Sequence, residues 1–163
     1  MFIQSIAAFE QEWKHESAST LKIFRALTDA SLAQEVAPGH RKLGELAWHI
    51  VTTLQEMMSR TGLKFESPDE HTPQPSSAQA IADAYERASQ ALLEAVLGQW
   101  TDASLQEQVN LYGEPWPNGV TLHILVNHEA HHRAQITVLM RQAGLKVPGV
   151  YGPAKEEWQP AAQ

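Results

Sequence analysis

This sequence predicts an all-α chain folded as a four-helix bundle, and three observations carry the prediction. Four segments of roughly twenty residues repeat apolar side chains at helical spacing. Proline and glycine gather in the connections between them, and no stretch alternates strongly enough for a credible sheet. The 163 residues are most simply one domain spanning 1–163, with a long loop between the third and fourth helices.

The first helix is expected from about Phe2 to Asp29, where Ile6, Phe9, Trp13, Leu21, Phe24 and Leu27 recur at helical spacing before Ala37-Pro38-Gly39-His40. Phe2, Ile3 and Ile23 stand outside that single stripe. Such an apolar surplus can face a second copy of the chain, so a homodimer is expected. The second helix runs from about Arg41 to Arg60 on Leu43, Leu46, Ile50, Leu54 and Met57, and Gly62 ends it. Pro68, Pro73 and Pro75 then mark a connection. Ser76 or Ser77 caps a third helix that reaches Leu97 and buries Ile81, Ala84, Ala88, Leu92 and Val96. The loop from Gly98 to Gly119 has room for a short strand or hairpin around Leu105–Tyr112. The fourth helix fills about Val120–Ala143 and stops at Gly144, and the tail from Pro148 to Pro153 is too rich in turn residues to continue it.

The formal net charge of −7 argues against a nucleic-acid or anionic-membrane surface, since neither attracts an acidic protein. The absence of cysteine excludes disulfides, thiolate catalysis and Cys-type zinc sites, so any metal must be bound by imidazole or carboxylate. Met1–Glu12 lacks the pattern of a secretory signal, and no apolar run approaches the roughly 20 residues of a membrane span. A cytoplasmic location is the expectation.

Chemistry concentrates in His128-Glu129-Ala130-His131-His132. On a helix His128 and His132 lie within about 40° of each other, bracketed by Leu125, Ile136 and Leu139, so both rings point inward. A lone inward histidine is usually a core residue with an ordinary hydrogen bond. Two at this spacing need partners for four ring nitrogens, which favours half of a metal site. Gln135 shares their face, whereas His123, Arg133 and Arg141 fall on the opposite side and read as solvated surface. A third ligand should come from a facing helix. His49 is the natural candidate, yet it sits at the edge of its helix's stripe, and spacing alone leaves it between ligand and ordinary residue. Glu56, two turns further on, is either a carboxylate partner of the site or an exposed helix glutamate. His15, His40 and His71 read as surface or loop residues.

Three stretches carry a family resemblance: Leu46-Ala47-Trp48-His49-Ile50, the run Asn127–Gln135, and Gly144–Pro153 followed by Glu156-Glu157-Trp158. With these the chain resembles the DinB/YfiT-like family, metal-binding four-helix-bundle proteins that include bacterial thiol S-transferases. Family members typically show His-Arg-Gly-Gln where this chain has His132-Arg133-Ala134-Gln135. The resemblance implies one divalent metal ion per chain, held by His49, His128 and His132, and a homodimer.

Three neutral imidazoles leave a divalent metal with an open position, the mark of a catalytic rather than a structural site. A metal-bound thiol loses its proton at neutral pH, so transfer of a low-molecular-weight thiol to an electrophile follows, with zinc or nickel first and iron or manganese next. A hydrolase of small amides or esters and a non-catalytic, metal-stabilised bundle are the alternatives. The stretch also matches the H-E-x-x-H pattern of zinc peptidases, in which Glu129 would be the general base. At about 100° from His128 and 60° from His132, Glu129 is not excluded from the site by helical geometry. Gln135, Tyr112, Trp116 and Tyr151 are the candidates for a substrate pocket walled by the 98–119 loop and the C-terminal tail.

Overall fold

A computed structural model describes residues 3–158 and contains four long helices and one hairpin. Helix α1 spans Ile6–Arg25, shorter at both ends than the spacing predicts. At its start the Ser5 hydroxyl accepts the Ala8 N–H (3.1 Å), and Asp102 accepts the N–H of Ile6 (2.7 Å). At its end Thr28 and Ser31 compete for the backbone. The Ser31 hydroxyl donates to the Thr28 carbonyl (2.7 Å) and accepts the Thr28 N–H (3.1 Å), which diverts the chain into a 3₁₀ turn at Ala30–Ala33.

Helix α2 spans Leu43–Met58, opened by Glu45 accepting the Lys42 N–H (2.6 Å). It is followed by a 3₁₀ turn that closes on Gly62 in the left-handed region (φ 81°). Helix α3 spans Ala78–Gln99, and Ser77 is its cap as expected, accepting the Ala80 N–H. Strands β1 (Gln108–Leu111) and β2 (Glu114–Pro117) form the hairpin that the loop had room for. Its two-residue turn, Tyr112-Gly113, has φ of 54° and 92°, the mirror-image turn whose twist matches paired strands. Leu111 and Glu114 flank that turn as a hydrogen-bonded pair, so alternation leaves Pro115 and Pro117 opposite Asn110 and Gln108 at positions that need no N–H. Helix α4 spans Asn118–Gln142 and ends with the Leu145 N–H returning to the Met140 carbonyl (2.9 Å) across Gly144.

Around the bundle the order is α1, α3, α2, α4, so helices adjacent in sequence within each half are diagonal in space. The pairings Trp13–Ser89 and Arg25–Asp83 make α1 antiparallel to α3, and Glu16–Arg133 with Thr20–Glu129 make it antiparallel to α4. His49 beside His128, with Leu46 lining one cavity with Leu139, makes α2 antiparallel to α4, so helices α1 and α2 point one way, and α3 and α4 the other. That topology requires the long crossovers before α2 and before α4. One apolar core runs through the bundle, with Phe9, Trp13, Ile50, Leu54, Leu92 and Ile136 fully enclosed. Ile3 and Ile23 are buried in this same core, so they offer no second contact to another copy; Phe2 lies outside the described residues. No helix of the described residues is long and apolar enough to cross a membrane.

Candidate metal centre

His49 of α2 faces His128 and His132 of α4 across the interface between these antiparallel helices. One ring nitrogen from each lies within 4.8 Å of the other two, and the Nε2 atoms of His49 and His128 are 3.0 Å apart. Two nitrogens bound tetrahedrally at about 2.1 Å sit about 3.4 Å from each other, so the observed spacing brackets what a divalent ion requires. The three ring centroids are 4.4–4.9 Å apart. Among the described residues, this is the sole cluster of histidine and carboxylate groups close enough to hold a metal.

Burial keeps the donors neutral. It is the main reason that His49 and His128 titrate at about 4, with the Arg41 charge and neighbouring imidazoles adding to the depression; His132 is lowered too, again chiefly by burial. A neutral imidazole is the form that ligates. The tautomer of His132 follows from Gln135, whose Oε1 lies 2.7 Å from His132 Nδ1 and accepts its proton, leaving the Nε2 lone pair free. Thr53 steadies His49 less directly. Its hydroxyl donates to the His49 carbonyl (2.7 Å) and lies 3.5 Å from Nδ1.

A cavity of about 420 Å³ adjoins the cluster. It is lined by His132, Gln135, Val138 and Leu139 of α4, by Leu46 of α2, and by Val36, His40 and Arg41 from the segment before α2. This corrects the expectation that the 98–119 loop and the C-terminal tail wall the pocket. Because α2 and α4 are antiparallel, the space beside His132 opens toward the start of α2 and the end of α4, while the hairpin packs at their other ends. Of the four pocket candidates only Gln135 lines this cavity. Tyr112 and Trp116 pack edge-to-face on the hairpin, and the Tyr112 hydroxyl donates to Glu56 (2.7 Å). The Tyr151 hydroxyl donates to Glu16 (2.7 Å) on the α1 side of α4.

The carboxylate candidates are also engaged elsewhere. Glu56 accepts from Tyr112 and from Arg60 (2.9 Å) and has no part in the histidine cluster. Glu129 is fully buried on the other side of α4, where its Oε1 accepts the hydroxyl protons of Thr20 and Tyr85, both at 2.6 Å. Burial raises its pKa, so it faces α1 and α3 as a structural acceptor. Arg133 overturns its reading as surface. Its guanidinium is buried between α1 and α4, paired with Glu16 at 2.6 Å and donating to Thr20 and Tyr151. Arg141 is exposed as expected and pairs with Glu156. Gln135, expected on this face as a pocket residue, also orients His132 from three residues away; the spacing reading missed Arg41 and assigned His40 no role, and both line the cavity without a local mark.

The model of the DinB family matches residues 2–163. An uncharacterised Bacillus subtilis (strain 168) protein, YrdA, is 50% identical over 155 residues, which is 95% of this chain and 93% of that protein. The crystal structure of a DinB-like protein from Bacillus cereus ATCC 10987 is 51% identical, with a TM-score of 0.89 over 91% of this chain and 99% of its own. A second DinB-like protein, YjoA of B. subtilis, shares the fold at 18% identity, with a TM-score of 0.70 over 88% of this chain and 97% of its own.

Proposed function

This chain belongs to the DinB family, and from that premise we propose that it is a divalent-metal-dependent transferase that moves a low-molecular-weight thiol onto an electrophile. The observation that carries the reading is three neutral imidazoles converging beside an open cavity, with no fourth histidine or carboxylate in the cluster among the described residues. His49, His128 and His132 hold the ion, zinc or nickel by preference and iron or manganese next. A divalent cation so held supplies the Lewis acidity that lets a coordinated thiol lose its proton at neutral pH.

The chain's own residues do the rest. Gln135 holds the Nδ1 proton of His132 and aims its Nε2 inward. Partial burial of the three rings favours their unprotonated form. In the transfer the S–H bond breaks and its proton leaves to solvent. The sulfur forms a bond to the electrophilic carbon, and the leaving group departs with its electron pair.

Hydrolysis of an amide or ester by a metal-bound hydroxide is the second reading, but a peptidase of the H-E-x-x-H kind is not supported, because it needs a carboxylate base beside the site. Glu129 faces the far side of α4, and Glu56 is occupied by Arg60 and Tyr112. The test is elemental analysis together with a thiol-consumption assay using a generic electrophile, on wild type and on alanine variants of the three histidines. One metal equivalent and thiol transfer are expected in wild type, with both lost in each variant. Full metal content in His49→Ala would refute the ligand set. Full metal without transfer of any cellular thiol would refute the chemistry.

A further inference from the structure

His131 is the histidine of the His128–His132 stretch that metal ligation leaves without a part. It is exposed, and the nitrogens that converge to hold an ion belong to His49, His128 and His132. Its ring nevertheless stands beside the site, with the His131 and His132 centroids 5.0 Å apart at 72°. Gln135 joins the two. It follows them on α4 by four and three residues, so its side chain lies one turn along from both rings. The amide spans them, with Oε1 2.7 Å from His132 Nδ1 and Nε2 3.3 Å from His131 Nε2.

The two ends of a primary amide differ, and this gives the bridge a direction. The oxygen only accepts and the nitrogen only donates. With Oε1 on His132, the ring proton is held at Nδ1 and the Nε2 lone pair is left for a metal. The reversed amide would set an N–H against Nδ1 and force the His132 proton onto Nε2, where it blocks ligation. A metal on His132 therefore orders the protons outward. His132 Nδ1–H donates to Gln135 Oε1, Gln135 Nε2–H donates to His131 Nε2, and His131 carries its own proton on Nδ1. Gln135 is itself exposed, a long unbranched side chain with much rotamer freedom to lose. A single hydrogen bond to His132 holds one end of it, and His131 holds the other.

We infer that His131 is a positioning residue of the metal centre: its Nε2 accepts the amide proton of Gln135 and so keeps the Gln135 oxygen on His132 Nδ1, in the orientation that leaves His132 free to ligate. This rests on the three-histidine metal reading and adds a residue one step further from the ion. His131 touches neither metal nor substrate in this scheme and acts only through Gln135.

The experiment measures zinc affinity by chelator competition in wild type, His131→Ala, His131→Gln, Gln135→Leu and the double variant His131→Ala/Gln135→Leu. His131→Ala should weaken zinc binding about fivefold. His131→Gln returns an acceptor oxygen at the same helical position and should bind within about twofold of wild type. On the Gln135→Leu background, His131→Ala should change affinity by less than about 1.5-fold, because the intermediary is already gone. His131 is exposed, so helicity should be kept throughout. Nitrogen-15 spectra of the zinc-loaded protein at about pH 8 supply a second readout. His131 should carry its proton on Nδ1 in wild type and shift toward Nε2, the nitrogen a free neutral imidazole favours, in Gln135→Leu. An unchanged affinity in His131→Ala, a loss that persists on the Gln135→Leu background, no recovery in His131→Gln, or a His131 proton on Nε2 in wild type overturns the inference and leaves the metal centre standing. A wild type that takes up no zinc overturns the metal centre, and this inference with it.

Discussion

Arg133→Met should be strongly destabilising, and the structure gives its size. The side chains of Arg133 and Glu16 are 3% and 8% exposed, and their ion pair is 2.6 Å long. The guanidinium also donates to the Glu16 carbonyl (3.1 Å), the Thr20 hydroxyl (3.0 Å) and the Tyr151 hydroxyl (2.6 Å), tying the chain beyond α4 to α1. Removing it strands the Glu16 carboxylate in the interior with Tyr151 as its one remaining donor. Breaking a buried pair from one side costs about 3–5 kcal/mol. For a chain of this length each kcal/mol moves Tm by about 2–4 °C, so a fall of about 6–20 °C is expected. Denaturant unfolding followed by circular dichroism measures it, with the slope m unchanged if the compactness of both states is preserved. The double variant Glu16→Met/Arg133→Met should recover most of the loss, because no uncompensated charge is left inside. Metal stoichiometry at saturation should stay at one, since the histidines face the other side of the helix. A loss below about 1 kcal/mol for the single variant would refute a buried ion pair at this position.

Gln135→Leu removes the acceptor that holds His132 Nδ1, and metal affinity measured by chelator competition should fall about 10–100-fold while helicity is kept. Glu129→Gln keeps an acceptor for Thr20 and Tyr85 and removes a carboxylate whose pKa burial already raises. Such a group contributes stability below its unfolded pKa and loses it as pH rises through the folded value. At neutral pH the variant should thus melt within about 1 kcal/mol of wild type and retain metal and turnover; loss of turnover with metal still bound would restore the general-base role. For the metal-free protein, His49 and His128 bind protons at about 4 folded but near 6.5 unfolded. Between those values the unfolded chain holds more protons, so Tm should fall as pH drops from about 6.5 toward 4. By the same depression, metal should remain bound at about pH 5.5; full release there would contradict buried, neutral ligands.

What was legible in the sequence was whatever depends on residues close along the chain. The caps at Ser77, Gly62 and Gly144 and the four apolar stripes are local properties, and they were enough for a four-helix bundle. His128 and His132 share a face because four residues make slightly more than one turn, so half of the site could be read directly. Its third member could not. Whether His49 meets them depends on how α2 is rotated and on α2 being the neighbour of α4, and periodicity specifies neither. Helix α4 shows the same limit from its other side. It is covered by α2 on one flank and by α1 on the other, so Glu129 and Arg133, polar and off the apolar stripe, resemble solvent-facing residues until Glu16, Thr20 and Tyr85 arrive from other helices. Their burial follows from partners more than forty residues away in sequence. The cavity was decided in the same way. Val36 and Arg41 meet Val138 and Leu139 because α2 and α4 run antiparallel, and only packing brings a loop before one helix to the end of another.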